Sequence, residues 1–489
     1  MMRSAVTASL VAVCALSCRA AEPPVVIYPE PARDVRSGGG RFDPPPTRHP
    51  AHARSAAAQA SYSYPLERLP SAAGVPEQAP LETLVGYALS NNPEIQSLRY
   101  RARSLSARVP QAISFPDPKW MTNVFLEQIQ TAAGPQEVAV SLSQTFPWFG
   151  KRELRGQVAC HEAFAAYAAL MAKELEIIEG VKLAYYDLYY VQRAAAEIRR
   201  LQPRLEDIIA VSKVRYETNA PGADLGSVLQ ARVELAQLKT DLISLDRAEI
   251  AAKSRLAKLL HMRPGTEFIA SSEVERSRVE RKVDVLVELA AMYQPELREI
   301  HSEIRRDRSA TALAKKDYWP DISLGVNWYG IGSEGLSPVA DGRDAVAVGI
   351  GGNLPVYRAR LDAAVREARY REAADRRRYA AARDRIQSEV ETLYAIFQEH
   401  DRILAVLESE ILPQAEQALD LVFEAYRTGS RDFEQLIDVY RTLVRYRLDR
   451  YRQIAEREQA AASLERAVGR ILDAVSDSPE MNAFTTAAN

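Results

Sequence analysis

Two stretches of the chain, Leu81 to Pro264 and Val283 to Gly469, carry the same landmarks in the same order, and this internal duplication restricts the fold to one structural unit built twice. Asn92-Pro93-Glu94 recurs as Gln294-Pro295-Glu296, Phe115-Pro116-Asp117 as Trp319-Pro320-Asp321, and Phe146-Pro147-Trp148 as Leu354-Pro355-Val356. Further along, Tyr216-Glu217-Thr218 and Asp224-Leu225 are echoed by Tyr426-Arg427-Thr428 and Asp432-Phe433. The offset between copies drifts only from 202 to 210 residues. Each copy is expected to hold a helix, two short strands, a very long helix, a tight turn and a second long helix.

The domain organisation follows from these landmarks and from composition. Residues 1–17 read as a signal peptide, 18–80 as an extended proline-rich linker, 81–282 as the first repeat, 283–475 as the second, and 476–489 as a flexible tail. Strands are expected at about 119–127 and 136–146, and again at about 321–329 and 344–354. Arg3 precedes an apolar run from Ala5 to Leu16 that is too short to span a bilayer and sits where a secretory signal belongs. The run ends at Ala15-Leu16-Ser17-Cys18, which resembles a bacterial lipobox and makes Cys18 the expected lipid anchor. A plain signal-peptidase cut after Ala20 is the alternative.

Charge and motifs exclude several classes of function. With 63 basic and 65 acidic side chains the net charge is -2, which supports neither nucleic-acid binding nor an acidic substrate. The chain has no Gly-rich phosphate loop, no His-Glu-x-x-His and no nucleophile elbow, so an enzyme is not expected. The six histidines are scattered and the seven methionines form no cluster, so neither a metal site nor a cofactor is expected.

No uncharged apolar run of 18 or more residues follows the signal, so any membrane crossing has to be made by a closed barrel. Period-two alternation supplies candidate strands. Val138, Val140 and Leu142 alternate with Ala139, Ser141 and Ser143; Ile322, Leu324, Val326 and Trp328 alternate with Ser323, Gly325, Asn327 and Tyr329; Val346, Val348 and Ile350 alternate with small residues. The run Trp120 to Glu127 is less regular. One apolar and one small or polar face is the pattern of a barrel strand between lipid and a lumen. Four strands cannot enclose a lumen, since about eight are needed merely to surround side chains, so a lipid-exposed sheet requires subunits to pool strands.

The intervening helices are long. Between Lys151 and Tyr216 the only proline is Pro203, and about 65 residues at 1.5 Å each reach about 100 Å. Val228, Leu235, Leu242 and Leu256, with Ala231, Leu238, Leu245, Ala252 and Leu259, mark a coiled-coil seam broken at Glu249. Leu436, Val439, Leu443 and Tyr446 repeat it. The turns Asn219 to Asp224 and Thr428 to Asp432 place Gly222 and Gly429 near the end of one helix and Asp224 and Asp432 at the N-cap of the next.

The tandem repeat, Asn92-Pro93-Glu94, the two strand pairs, the segment Ser143 to Arg152 and the tip Tyr426 to Phe433 together resemble the TolC family of outer-membrane efflux channels, from Leu81 to about Val475. The resemblance implies a fold that is mainly α with a membrane β-barrel. It also implies a homotrimer whose protomers pool strands into a 12-stranded barrel above a helical tunnel through the periplasm. It further implies an exit duct working with a periplasmic adaptor protein and an inner-membrane pump, in contact with outer-membrane lipid. By the same resemblance Asp438 and Gln435 occupy pore-gate positions, Gln435 standing where the family has a second acid. Asn219, Gly222, Asp224, Gly429 and Asp432 line adaptor-docking tips, and Phe146, Pro147, Trp148 and Gly150 make the barrel-to-helix transition. Heavy-metal or drug efflux is the expected task. A type I protein-secretion duct of the same fold and a poreless exported coiled-coil lipoprotein remain the alternatives. If Cys18 is acylated, Cys18→Ser abolishes fatty-acid labelling of the exported protein, whereas a mature N-terminus at Ala21 in the wild type contradicts lipidation.

Overall fold

The computed structural model describes residues 76–472 except 337 and 340, so the signal, Cys18, most of the linker and the C-terminal tail lie outside it. Helices α1 (Leu81–Asn91) and α2 (Pro93–Ile113) lead into strands β1 (Lys119–Thr131) and β2 (Gly134–Phe146), followed by α3 (Lys151–Glu217) and α4 (Leu225–Leu259). The second copy contains α5 (Val283–Tyr293), α6 (Pro295–Lys316), β3 (Ile322–Ile331), β4 (Ala345–Gly352), α7 (Arg358–Val406), α8 (Leu412–Thr428) and α9 (Phe433–Val468).

The Asn-Pro-Glu and Gln-Pro-Glu landmarks do the same two jobs. The side-chain oxygen of Asn92 accepts from the Glu94 N–H at 2.9 Å, and that of Gln294 accepts from the Glu296 N–H at 3.1 Å, so each caps a helix whose first residue is proline. Their amide nitrogens donate to the far end of their own repeat: Asn92 to the Leu259 carbonyl at 3.0 Å, Gln294 to the Arg466 carbonyl at 3.4 Å. Thus α4 ends against the start of α2, and α9 against the start of α6. Both α2 and α4 pack along α3, which at 67 residues is about 100 Å long, and α6 and α9 pack along α7 in the same way.

The copies differ at one proline. Pro203 sits inside the continuous α3, but near its counterpart Pro413 the chain adopts a π-helical turn, Leu407–Ile411, between α7 and α8. A proline has no N–H and crowds the carbonyl four residues back, and a widened turn is one way to absorb it.

The helical seam is broader than a strict heptad. Val228, Ala231, Leu238, Ala252 and Leu256 are buried, whereas Leu235, Leu242 and Leu245 are only partly covered. In the second copy Leu436 and Leu443 are buried as expected, but Ile437, Tyr440 and Val444 join them while Val439 and Tyr446 do not. Tyr440 donates its hydroxyl to the Leu201 carbonyl at 3.1 Å, satisfying a polar atom in an otherwise apolar cluster. Glu249, which interrupts the seam, accepts from Gln192 at 2.9 Å and pairs with Lys253 at 2.9 Å.

The four strands form one antiparallel sheet in the order β1-β2-β3-β4. Its register sets straight rows of side chains: Trp120, Leu142, Val326 and Val348 form one, and Thr122, Val140, Trp328 and Val346 the next. Rows on the opposite face are small or polar, as in Lys119, Ser143, Gly325 and Gly349. Trp120, Val124, Leu126, Val346, Val348 and Ile350 are among the exposed large hydrophobic residues. Among the described residues no helix is long and apolar enough to cross a membrane, and both sheet edges, β1 and β4, are unpaired.

Core burial supports one stability prediction. Leu256 is 0% exposed and belongs to the cluster containing Leu84, Ile95 and Leu188. Leu256→Ala should cost about 2–5 kcal/mol, read as a lower denaturant midpoint in detergent.

Candidate functional site: the sheet-to-helix junction and the helical tips

Where the sheet becomes helix, the two repeats are tied by a buried cation. β2 ends at Phe146, and Pro147, lacking a donor, terminates the ladder. Gly150 adopts the left-handed φ of 83° that turns the chain into α3, a conformation that a side chain would strain. Lys151 follows and is 2% exposed. Its Nζ donates to Asp321 Oδ1 at 2.9 Å and to the Trp319 carbonyl at 3.0 Å, with Asp317 at 3.4 Å. The same Asp321 oxygen accepts from the Trp148 N–H at 2.8 Å. Trp148 stacks on Trp319 at 5.0 Å with the rings 9° from parallel, and Phe146 meets Phe115 edge-on at 5.7 Å. Partial burial alone would raise the Asp321 pKa, but the bonds from Lys151 and Trp148 outweigh it and hold the carboxyl below the usual range.

Phe146, Pro147, Trp148 and Gly150 therefore sit together at this corner, and Lys151 follows them within the segment Ser143 to Arg152, but the contact with Asp321 that fixes them was not expected. The signal was present: Asp321 closes the Trp-Pro-Asp landmark and Lys151 follows the Phe-Pro-Trp landmark, 170 residues apart in sequence. The first-copy counterpart, Asp117, is exposed and makes no hydrogen bond or ion pair among the described residues.

At the other end of α3 the two hairpin tips are locked to each other. Buried Arg215 donates to the Tyr426 carbonyl of the second tip and, at 2.9 Å, to the Pro221 carbonyl of its own tip, and its guanidinium lies 4.6 Å from the Tyr426 ring centre. The Tyr426 hydroxyl donates to Ser212 Oγ at 3.0 Å. Asn219 and Gly222 take left-handed conformations in the first turn, and Gly429 ends α8 with φ 86°. Asp224 accepts from the Ser227 N–H at 2.7 Å, a bond that holds its pKa below the usual range. Asp432 occupies the equivalent N-cap position without making that bond.

Gln435 and Asp438 lie on the first turns of α9, both exposed. Gln435 accepts from Arg431 at 3.0 Å. Asp438 is 74% exposed and stands 3.7 Å from Arg441, whose stronger partner is Glu234 of α4 at 2.7 Å. Sequence reading missed Arg441 and Glu234, because their contact crosses between repeats. Among the described residues no cluster of three or more His, Cys, Asp or Glu side chains could hold a metal ion.

Residues 286–470 match the family model described as outer membrane efflux protein. VceC of Vibrio cholerae, an outer membrane protein, superposes with TM-score 0.65 at 20% identity over 80% of this chain and 96% of its own. CusC, whose structure concerns transmembrane channel formation, gives TM-score 0.68 at 15% identity over 80% and 92%. The Neisseria gonorrhoeae outer membrane channel MtrE, in its open state, gives TM-score 0.64 at 17% identity over 81% and 91%. No curated protein matches the chain by sequence. Residues 286–470 thus carry an outer membrane efflux protein match, and the chain as a whole shares the fold of these outer-membrane channels.

The junction yields a prediction with a pH sign. Lys151→Met strands Asp321, and because Asp321 keeps 24% side-chain exposure the cost should be about 3 kcal/mol, the low end for breaking a buried pair from one side. A carboxyl with a depressed pKa contributes stability that is present above the unfolded value of about 3.9 and is lost as pH falls through the folded value. Thermal midpoints measured between about pH 6 and pH 3 should fall more steeply for wild type than for Lys151→Met/Asp321→Asn. Equal slopes would show that the pair adds nothing to acid sensitivity.

Proposed function

We propose that three copies of this chain pool their four strands each into a 12-stranded outer-membrane barrel, continued by the helices as a tunnel into the periplasm. The protein acts as the passive exit duct of a tripartite efflux system. The observation that carries this reading is the open sheet, whose apolar rows face outward across all four strands while both edges lack partners. Hydrocarbon offers no hydrogen bonds, so an unpaired edge cannot remain in lipid, and four strands are too few to close on themselves.

In this reading an inner-membrane pump supplies energy and chooses cargo, heavy-metal ions or drugs, and a periplasmic adaptor docks on the tips bearing Asn219, Gly222, Asp224, Gly429 and Asp432. Cys18 anchors the mature chain to lipid, and residues 18–80 form the linker between that anchor and the first repeat. No catalytic step is required of the duct itself. Asp438, with Gln435 one turn earlier, lines the periplasmic constriction. Its high exposure in the single protomer is compatible with that role. Around a threefold axis Asp438 would set three carboxylates facing one path, which favours cations.

The test is electrical. Purified protein reconstituted in a planar bilayer should show discrete, cation-selective conductance, and Asp438→Asn should reduce the cation preference while assembly is retained. Absence of any conductance in a folded, membrane-inserted preparation would remove the duct reading. Unchanged selectivity in the variant would remove Asp438 from the constriction.

A further inference from the structure

We infer that the seam between subunits has one defined register: β4 of one copy pairs antiparallel with β1 of the next, Ile350 opposite Thr122 and Val348 opposite Val124. This rests on the pooled-strand reading above and adds to it which residues meet.

The register comes from the duplication. The landmarks relate β1 to β3 by 204 residues (Pro116 to Pro320) and β2 to β4 by 208 (Pro147 to Pro355). These shifts predict a pairing that can be checked inside the protomer: Trp120 faces Leu142, so their copies Leu324 and Ile350 should face each other, and they do. The hairpin register is therefore repeated from Lys119 to Val124, up to the shift in β1. The same shifts applied to the β2–β3 seam, where Leu142 faces Val326, carry Leu142 to Ile350 and Val326 to Thr122.

The faces agree with this result. Val346, Val348 and Ile350 belong to the outward apolar rows, and so do Thr122 and Val124, so the rows continue across the seam. A one-residue slip would set Val348 beside Asn123 and turn one strand's apolar side chains inward. A two-residue slip keeps the faces but breaks the equivalence of the two seams.

The junction extends the match. In the protomer, Asp321 at the foot of β3 takes the Trp148 N–H and the first residue of α3, Lys151. By the 208-residue shift Val356 takes the place of Trp148 beside the next copy's Asp117 and Ala359 that of Lys151, with Arg358, the first residue of α7, the adjacent cation. Without that copy, the Val356 N–H turns back to the Leu354 carbonyl at 2.9 Å.

Cysteine pairs in the full chain, in a Cys160→Ser background, decide the register. Residues directly opposite approach to about 4.5–5.5 Å and diagonal ones only to about 7–8 Å, and a disulfide needs the shorter span. Under mild oxidation Thr122→Cys with Ile350→Cys should form covalent dimers and trimers about tenfold faster than Val124→Cys with Ile350→Cys, or Thr122→Cys with Val348→Cys. Faster linking by either slipped pair, or linking by none, in a preparation whose uncrosslinked native mass equals three copies would overturn the register and leave the trimer standing. A native mass of one copy would overturn the pooled barrel itself. Asp117→Asn should lower the temperature at which the trimer dissociates in SDS, and an unshifted temperature would exclude the Asp117–Arg358 contact.

Discussion

The structure depends on how backbone amides at the two edges of a four-stranded sheet find partners. Within the protomer β2 and β3 are fully flanked, whereas β1 and β4 each present an open row of donors and acceptors beside an exposed apolar face. Water could satisfy the amides but not the apolar rows, and lipid could cover the rows but not the amides. In the pooled-strand proposal copies of the same sheet satisfy both demands, because each brings the complementary edge.

Other features of the chain keep that sheet positioned on its helices. Lys151 and Asp321 bind the foot of β3 to the start of α3, so the seam between the repeats in the sheet is continued as a seam between helices. Removing two charges from water is costly, and here it is offset by multiple bonds to one carboxylate and by the stacked pair Trp148 and Trp319. At the far end Arg215 plays the corresponding part, holding the Pro221 and Tyr426 carbonyls of two different tips. The long helices are therefore fixed at both ends by a buried cation reaching across the duplication.

Much of this fold was legible from periodicity alone. The strands occupy the alternating runs, and the least regular of them, β1, carries a register shift between Val124 and Ile129 and runs on to Thr131. A bulge moves side chains by one place and hides the period of two. The helical seam was legible where a heptad position is also buried, as at Leu256 and Leu436, and missed Tyr440, whose contact is with the other repeat's Leu201. Asp224 and Asp432 looked alike in sequence, yet only Asp224 makes the capping bond. Lys151 and Asp321 each sit at a landmark, but their pairing, like that of Arg441 with Glu234, was not legible, since pairing across about two hundred residues is set by how the copies pack and not by local pattern.

The most direct test of the central claim, that one protomer is four strands of a larger closed ring, is the rotational symmetry of single particles of the full-length protein in lipid nanodiscs. A threefold ring with a continuous barrel wall and a helical tube extending from one side is the predicted result. Particles of a single copy, or assemblies whose sheets do not join into one wall, would contradict it.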